Sequence, residues 1–202
     1  MQNQSLYLWQ TVRQILLQIQ NGSPMKFIIF FISLLSFSAI SEQWYENGEV
    51  APKKSFQGSV DGFGAMVFMT TDSQKMLDNW EVPTDGYYVT HDEEVEKGKP
   101  IEALVVFYGC KANENGNCLA EADYRIIKPD GSVYTEIKNT ELWKNKPSMP
   151  EGQLGLAVDR VGLIAELEDP GGIYTIELVI RDLVSGIEFP LHSSFKVNEA
   201  AK

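Results

Sequence analysis

Apolar and polar residues alternate with a period of two along several short stretches in the second half of the chain. The clearest stretch is residues 173–181, in which every second residue from Tyr174 onward is apolar. This period is typical of a β-strand that buries one face. Segments rich in Gly, Pro, Asp and Asn separate the stretches and predict tight turns. The pattern predicts an all-β, antiparallel β-sandwich over residues 65–198, with one short helix that begins near Asp72-Ser73.

Two segments of this region give stronger signals. Residues 101–108 are an almost continuous apolar run, which is typical of a central strand covered on both faces. Lys128-Pro129-Asp130-Gly131 predicts a tight turn between two strands. Residues 142–152 contain two prolines and are predicted to form a loop. Residues 42–64 are predicted to be a flexible segment that precedes the sandwich.

Residues 25–41 have the layout of a secretory signal peptide. Met25-Lys26 precedes an apolar run that ends in small residues, with Ala39 and Ser41 three residues and one residue before a cleavage site at Glu42. The run is shorter than the span of about 20 residues that crosses a bilayer, and no cysteine follows it for lipid attachment. We expect a periplasmic or secreted product with no stable membrane insertion after cleavage.

Residues 1–24 contain no acidic residue, unlike the chain after Ser41. Because a signal peptide normally begins at its own methionine, we interpret these residues as a mis-called start or a non-native leader. The alternative is an amphipathic helix, since apolar residues recur here at spacings of three and four: Leu6, Trp9, Val12, Leu16 and Ile19.

The predicted mature chain, residues 42–202, is strongly acidic. It holds all 28 Asp and Glu but 15 of the 17 Lys and Arg, so its formal charge is −13. A surface with this charge repels phosphate backbones and anionic lipid headgroups. We therefore expect no nucleic-acid partner, and the length of this segment fits one domain.

Cys110 and Cys118 are the two cysteines of the chain, and they flank a loop rich in Asn and Gly. In an exported protein, a close pair of this kind predicts a disulfide. Apolar and aromatic residues lie on both sides of the loop, so we expect the bridge to clamp the end of a hairpin. The spacing differs from the Cys-x-x-Cys of redox-active sites, and two thiols alone do not complete a metal site.

Pro170-Gly171-Gly172-Ile173-Tyr174 comes before the penultimate predicted strand, and a hairpin ends the domain. With these features, residues 97–198 resemble bacterial immunoglobulin-like or fibronectin-like β-sandwich domains. The resemblance implies a corner tyrosine at the start of that strand. The chain departs from antibody domains because its two cysteines are too close in sequence to form the bridge that links the two sheets.

Some residues have side chains suited to hydrolysis or to metal binding, and each of them also has an ordinary packing role. His192, with Ser194 and a distant Asp, is a possible hydrolytic site, although the chain has no Gly-x-Ser-x-Gly motif. Histidine and methionine are also copper ligands, and the candidates are His91, His192, Met66, Met69 and Met76. Their spacing matches no metal signature, and core packing is the commoner role of methionine. We therefore predict no cofactor and no catalytic residues.

The remaining candidates are loop residues. The loop between the cysteines places Asn113, Asn115 and Asn117 at alternate positions, but it does not match a calcium-binding loop. Trp143 precedes a Lys-Asn-Lys-Pro segment and is the better candidate for exposure among the tryptophans, although packing in the core or anchoring of a loop is the commoner role. Loops on rigid scaffolds commonly carry recognition. We predict contact surfaces at residues 113–117 and 143–149.

These observations favour an exported, soluble β-sandwich module that binds a protein or another component of the cell envelope through its loops. One alternative is a periplasmic copper-binding protein or hydrolase that uses His91 and His192. Another alternative is a structural subunit of an envelope assembly, which would self-associate through an unpaired edge strand.

Overall fold

The computed structural model describes residues 54–80 and 89–200, and the backbone alone at 45–46 and 49–50. The predictions for the leader and the signal peptide, residues 1–41, lie outside this part of the chain. Within it, no helix has the length and apolar composition that a membrane span requires.

The described residues form one helix and twelve strands, most of them in the predicted sandwich. In chain order these are β1 Tyr45–Glu46, β2 Glu49–Val50, β3 Gln57–Val60, β4 Phe63–Thr70, α1 Ser73–Trp80, β5 Glu94–Glu96, β6 Pro100–Tyr108, β7 Asn117–Ile127, β8 Val133–Pro147, β9 Gly155–Leu156, β10 Val161–Ile164, β11 Gly172–Asp182 and β12 Ile187–Asn198.

The strands form two five-stranded sheets and one small β1–β2 pair. Sheet I has the order β10-β6-β4-β3, with β9 also paired to β6, and sheet II has the order β5-β12-β11-β7-β8. Strands β6, β7, β8, β10, β11 and β12 follow the order of strands B, C, C′, E, F and G of immunoglobulin domains. Strand β4 joins sheet I, whereas β5 joins sheet II parallel to β12. The predicted all-β, immunoglobulin-like sandwich with one short helix is confirmed.

The alternating pattern of β11 predicted correctly which of its side chains are buried. Its four apolar side chains at every second position from Tyr174 are buried in the core between the sheets. The Tyr174 hydroxyl donates a hydrogen bond to the carbonyl oxygen of Pro170 (2.9 Å). This contact is the tyrosine corner that the resemblance implied.

Strand β6 is covered on both faces, as its apolar run predicted. Ile101, Ala103, Val105 and Phe107 face the main core. Leu104 and Val106 point to the other face of sheet I, where they form a second apolar cluster with Met76 of α1. Helix α1 begins where expected, because the Asp72 carboxylate accepts a hydrogen bond from Lys75 N (3.2 Å) and caps the first turn.

Two predicted boundaries are wrong. The segment expected to be flexible up to Gly64 contains β3 and the start of β4, joined by an Asp61-Gly62 turn in which both residues have positive φ (45° and 93°). Asp-Gly is a strong signal for such a hairpin turn. Strand β8 continues to Pro147, so residues 142–147 are not a loop. Proline at the end of an edge strand is compatible with pairing.

Candidate functional site

The disulfide joins the two sheets at one end of the sandwich. Cys110 follows β6 of sheet I, Cys118 lies in β7 of sheet II, and both side chains are buried. The expectation of a clamped hairpin is wrong, because β6 and β7 do not pair with each other. The bridge closes the loop that connects β6 to β7, so two cysteines that are close in sequence do link the two sheets.

The loop between the cysteines is held by its own hydrogen bonds. The side-chain oxygen of Asn113 accepts hydrogen bonds from Asn115 N (2.9 Å) and Asn117 N (3.1 Å). The backbone N of Asn113 also donates to the carbonyl oxygen of Asn117 (2.8 Å). Asn113 therefore shapes the loop, while the exposed side chain of Asn115 lies near its tip.

Trp143 is half-buried and has the loop-anchoring role that is the commoner one for such a residue. Its ring lies 5.8 Å from the Phe107 ring, and its indole N–H donates to the carbonyl oxygen of Pro147 (2.9 Å). The ammonium group of Lys146 lies 4.6 Å from the centre of the indole ring, which is a cation–π contact. Trp143 thus fixes the end of β8, and the Lys146 ammonium group lies over its indole ring.

The two predicted contact segments are neighbours in the structure. Asn117 pairs with Pro147 across the β7–β8 ladder. Ser148 donates hydrogen bonds from its N to the carbonyl oxygen of Gly116 (3.1 Å) and from its hydroxyl to that of Cys110 (2.6 Å). The sequence indicated both segments, and the fold joins them into one surface.

A buried carboxylate adds a third segment to this end of the sandwich. Asp182 is 1% exposed and accepts hydrogen bonds from Lys111 N (2.9 Å), Val184 N (3.0 Å) and the Ser185 hydroxyl (2.7 Å). It therefore fixes the β11–β12 turn beside the disulfide loop. Sequence reasoning missed this role, although Asp followed by Ser and Gly at a turn is a known hydrogen-bonding pattern. We call residues 111–117, 143–149 and 183–186 the loop surface.

Reduction of the disulfide should lower stability and leave the sheets intact. Closure of a loop this short stabilises the folded state by about 2.5 kcal/mol in the chain-entropy model. We expect a lower melting temperature with an unchanged far-ultraviolet circular dichroism spectrum below the transition. An unchanged melting temperature, with both thiols shown to be free, would contradict this role.

His91 and Met69, two of the candidate copper ligands, have structural roles. His91 Nδ1 accepts a hydrogen bond from Met69 N (3.2 Å), and its ring stacks on Phe56 with 5.6 Å between centroids. Met69 is a core residue, and Met66 is half-buried on the other face of β4. The described residues contain no group of three or more His, Cys, Asp and Glu side chains that could hold a metal ion.

The proposed hydrolytic residues lie on the outer face of sheet II. His192 is opposite Glu177 in the β11–β12 ladder and is exposed. The Ser194 hydroxyl is hydrogen-bonded to the Thr175 hydroxyl (3.1 Å) on the neighbouring strand. This arrangement is an ordinary cross-strand contact of two hydroxyl groups.

The same outer face carries a charged network centred on Arg181. Its guanidinium donates to the Asp123 carboxylate (2.7 Å) and lies 3.4 Å from the Glu188 carboxylate. The hydrogen bond from Arg181 and a second one from Asn139 N lower the pKa of Asp123 to about 2. The ionised carboxylate is therefore more favourable in the folded than in the unfolded chain.

Replacing Asp123 with Asn should have an effect that depends on pH. Because the folded pKa is below the unfolded value near 3.9, the carboxylate stabilises the fold above about pH 4, and this contribution is lost as the pH falls towards 2. We expect a loss of about 1 to 2 kcal/mol at pH 7, since the pair is partly exposed. Urea unfolding between pH 3 and pH 7 measures the difference. A loss that stays constant with pH would contradict the ion-pair explanation.

The comparisons with known proteins assign no family to this chain. No family model matches the sequence, and no curated protein is significantly similar to it. Solved structures that match include a family 123 glycoside hydrolase from Clostridium perfringens, at 12% identity and a TM-score of 0.42; the match covers 69% of this chain but 28% of the hydrolase.

Two further matches are small domains. One is a CARDB domain from Pyrococcus furiosus in complex with two metal ions, at 12% identity over 75% of this chain and the whole of that domain, with a TM-score of 0.33. The other is an immunoglobulin-like protein from Pseudomonas aeruginosa, at 15% identity over 57% of this chain and 85% of that protein, with a TM-score of 0.29. These TM-scores are below 0.5, so the assignment of an immunoglobulin-like β-sandwich rests on the strand topology.

Proposed function

We propose that this protein is an exported binding module that contacts a protein or another component of the cell envelope through the loop surface. The observation that carries the proposal is the joining of the predicted contact segments, residues 113–117 and 143–149, through the Asn117–Pro147 pair and the Ser148 hydrogen bonds. A disulfide and a buried carboxylate hold this surface in one shape. A preformed surface loses less conformational entropy on binding than flexible loops would lose.

The chemistry of the loop surface fits recognition of a macromolecule. It combines exposed Asn115, the Lys146 ammonium group above Trp143, and Leu183, which is about half exposed. Aromatic, amide and apolar groups on loops are typical of protein interfaces. The function of such a surface follows from its shape and its mixed polarity rather than from a reactive group.

Site-specific photo-crosslinking in the native host tests the surface. A photoreactive residue at Asn115 is compared with one at Asp130, which lies in the β7–β8 turn at the opposite end of the sandwich. We expect a defined adduct from position 115 that excess unlabelled protein suppresses, and that Lys146→Glu weakens. Equal adducts from both positions, or no adduct from position 115, would argue against this surface.

Export is tested separately by intact mass and N-terminal sequencing of protein from the envelope fraction and the medium. We expect a chain that starts at Glu42 and is two hydrogens lighter than its reduced form. Recovery of the chain with residues 25–41 still attached would contradict cleavage, and the loop-surface experiment would then apply to a membrane-associated protein.

A further inference from the structure

Parts of sheet II that would otherwise be open edges are covered by other segments of the same chain. The edge of β12 is covered by β5 at residues 196–198 and by Ser55, whose carbonyl oxygen accepts a hydrogen bond from His192 N (2.9 Å). The second half of β8 is covered as well, because the backbone N–H groups of residues 158 and 159 donate to the carbonyls of residues 142 and 141 (3.0 and 3.1 Å).

The first half of β8 has no such cover among the described residues. Residues 133–139 pair with β7 on one side, and β8 is the last strand of sheet II on the other. Val133 and Ile137 on this segment are 41% and 38% exposed. A strand edge with unpaired backbone groups and exposed apolar side chains is a template for pairing with another strand.

We propose that this edge pairs antiparallel with the same edge of a second copy of the chain, with Ile137 of the two copies opposite each other. In this register, Glu136 of each copy lies opposite Lys138 of the other. Glu136 is on the outer face of sheet II beside Arg125 (3.4 Å), and Lys138 shares that face because it is two residues further along the strand.

Charge selects this register over its neighbours. Residues that lie opposite each other in the two copies must face the same side of the joined sheet. The residue at the centre of the pairing can therefore change from Ile137 only to a neighbouring residue, 136 or 138. A shift in one direction places Glu136 opposite Glu136, and a shift in the other places Lys138 opposite Lys138. Opposite charges directly across a strand pair stabilise it by about 0.2 to 1 kcal/mol, and like charges destabilise it.

The length of the pairing is limited by a bulge. Asn139 has a positive φ of 55°, and its N–H donates to the Asp123 carboxylate of its own sheet (2.9 Å). The regular edge therefore ends at this residue, and pairing extends over residues 135–139 at most. Such a short contact makes a weak dimer, which forms at high protein concentration.

The dimer places the two loop surfaces at opposite ends of the paired strands. In an antiparallel pair of β8 strands, the ends that carry residues 143–149 point in opposite directions. The two copies therefore present two separate loop surfaces, and in this register residue 143 of one copy is level with residue 131 of the other.

Two charge reversals test the register. Sedimentation equilibrium of the purified protein is expected to show a monomer–dimer equilibrium for the wild type. Glu136→Lys and Lys138→Glu each place like charges opposite each other at both symmetric positions. The dimer dissociation constant of each variant alone should therefore rise by about tenfold or more. When the two variants are mixed, every opposed pair is again Lys with Glu, and association should return as a heterodimer.

A matched control is Glu177→Lys, which has the same charge change and removes the other carboxylate that Arg125 contacts (3.6 Å). This variant should dimerise like the wild type, and thermal melts should show that all four proteins are folded. The proposal is overturned if the wild type stays monomeric at about 1 mM, if the single variants dimerise as well as the wild type, or if their mixture fails to associate. An adduct from position 115 with a different protein would support the loop surface under each of these outcomes.

Discussion

The Gly109→Ala variant is expected to lose at least about 3 kcal/mol of unfolding free energy. Gly109 has a φ of 72°, and an added Cβ would lie 1.7 Å from the carbonyl oxygen of Gly62 in the β3–β4 turn. The clash is with backbone, which has no rotamer to adopt, so the turn must move away from the end of β6. Overpacking costs about 1 to 3 kcal/mol or more, and the positive φ adds about 1 kcal/mol. Urea unfolding measures the loss.

The matched control is Gly116→Ala. Gly116 also has a positive φ, of 79°, but an added Cβ would meet no atom within 4 Å. It therefore has the backbone strain without the clash, and we expect a loss of about 1 kcal/mol. Equal losses for the two variants would show that the contact between Gly109 and the β3–β4 turn is not close in solution.

The Asp182→Ala variant is expected to lose about 3 kcal/mol and to loosen the loop surface. The substitution leaves the N–H groups of Lys111 and Val184 and the hydroxyl of Ser185 without their shared acceptor. A hydrogen bond to a charged group contributes about 1.5 to 3 kcal/mol, and a buried donor without a partner is costly. Thermal unfolding should show a melting temperature lower by about 10 °C.

Amide hydrogen exchange locates the effect of the Asp182 substitution. We expect faster exchange at residues 111–117 and 183–186, with the centre of sheet I unchanged. The comparison variant is Asp130→Ala, which removes the carboxylate that accepts hydrogen bonds from Ser132 in an exposed turn at the other end of the sandwich, and it should change stability little. If both variants have the same small effect, the buried carboxylate does not hold the loop surface.

The strands that the sequence predicted best are those with an uninterrupted pattern. Strand β11 alternates regularly, and β6 is apolar throughout because the core covers one of its faces and α1 the other. Strand β8 was predicted to end too early because its pattern is broken. Its register shifts at several bulges, and Asn139 and Asn145 adopt positive φ, so alternation with a period of two is lost where pairing continues.

The start of the sandwich was missed for a different reason. Asp61-Gly62 is a hairpin signal, but β3 is short and its Gly and Ser resemble a flexible segment. The chain pairs there because β4 supplies a partner strand, and Gly58 packs against β12 close to Leu191 and Phe189. A strand this short is stable only when its neighbours bury it.

The amino-acid sequence by itself determined the fold class, the buried face of the main strands and the loop segments that form the candidate site, and the resemblance to immunoglobulin-like domains implied the tyrosine corner. These features depend on local periodicity, turn residues and short-range contacts. The tertiary structure alone decided that the disulfide joins two sheets, that residues 113–117 and 143–149 form one surface, and that Asp182 holds Lys111. The physical reason is that each of these contacts depends on which strands pair and which sheet each strand joins, and strand periodicity does not specify that choice. Asp182 and Lys111, for example, lie 71 positions apart in the sequence.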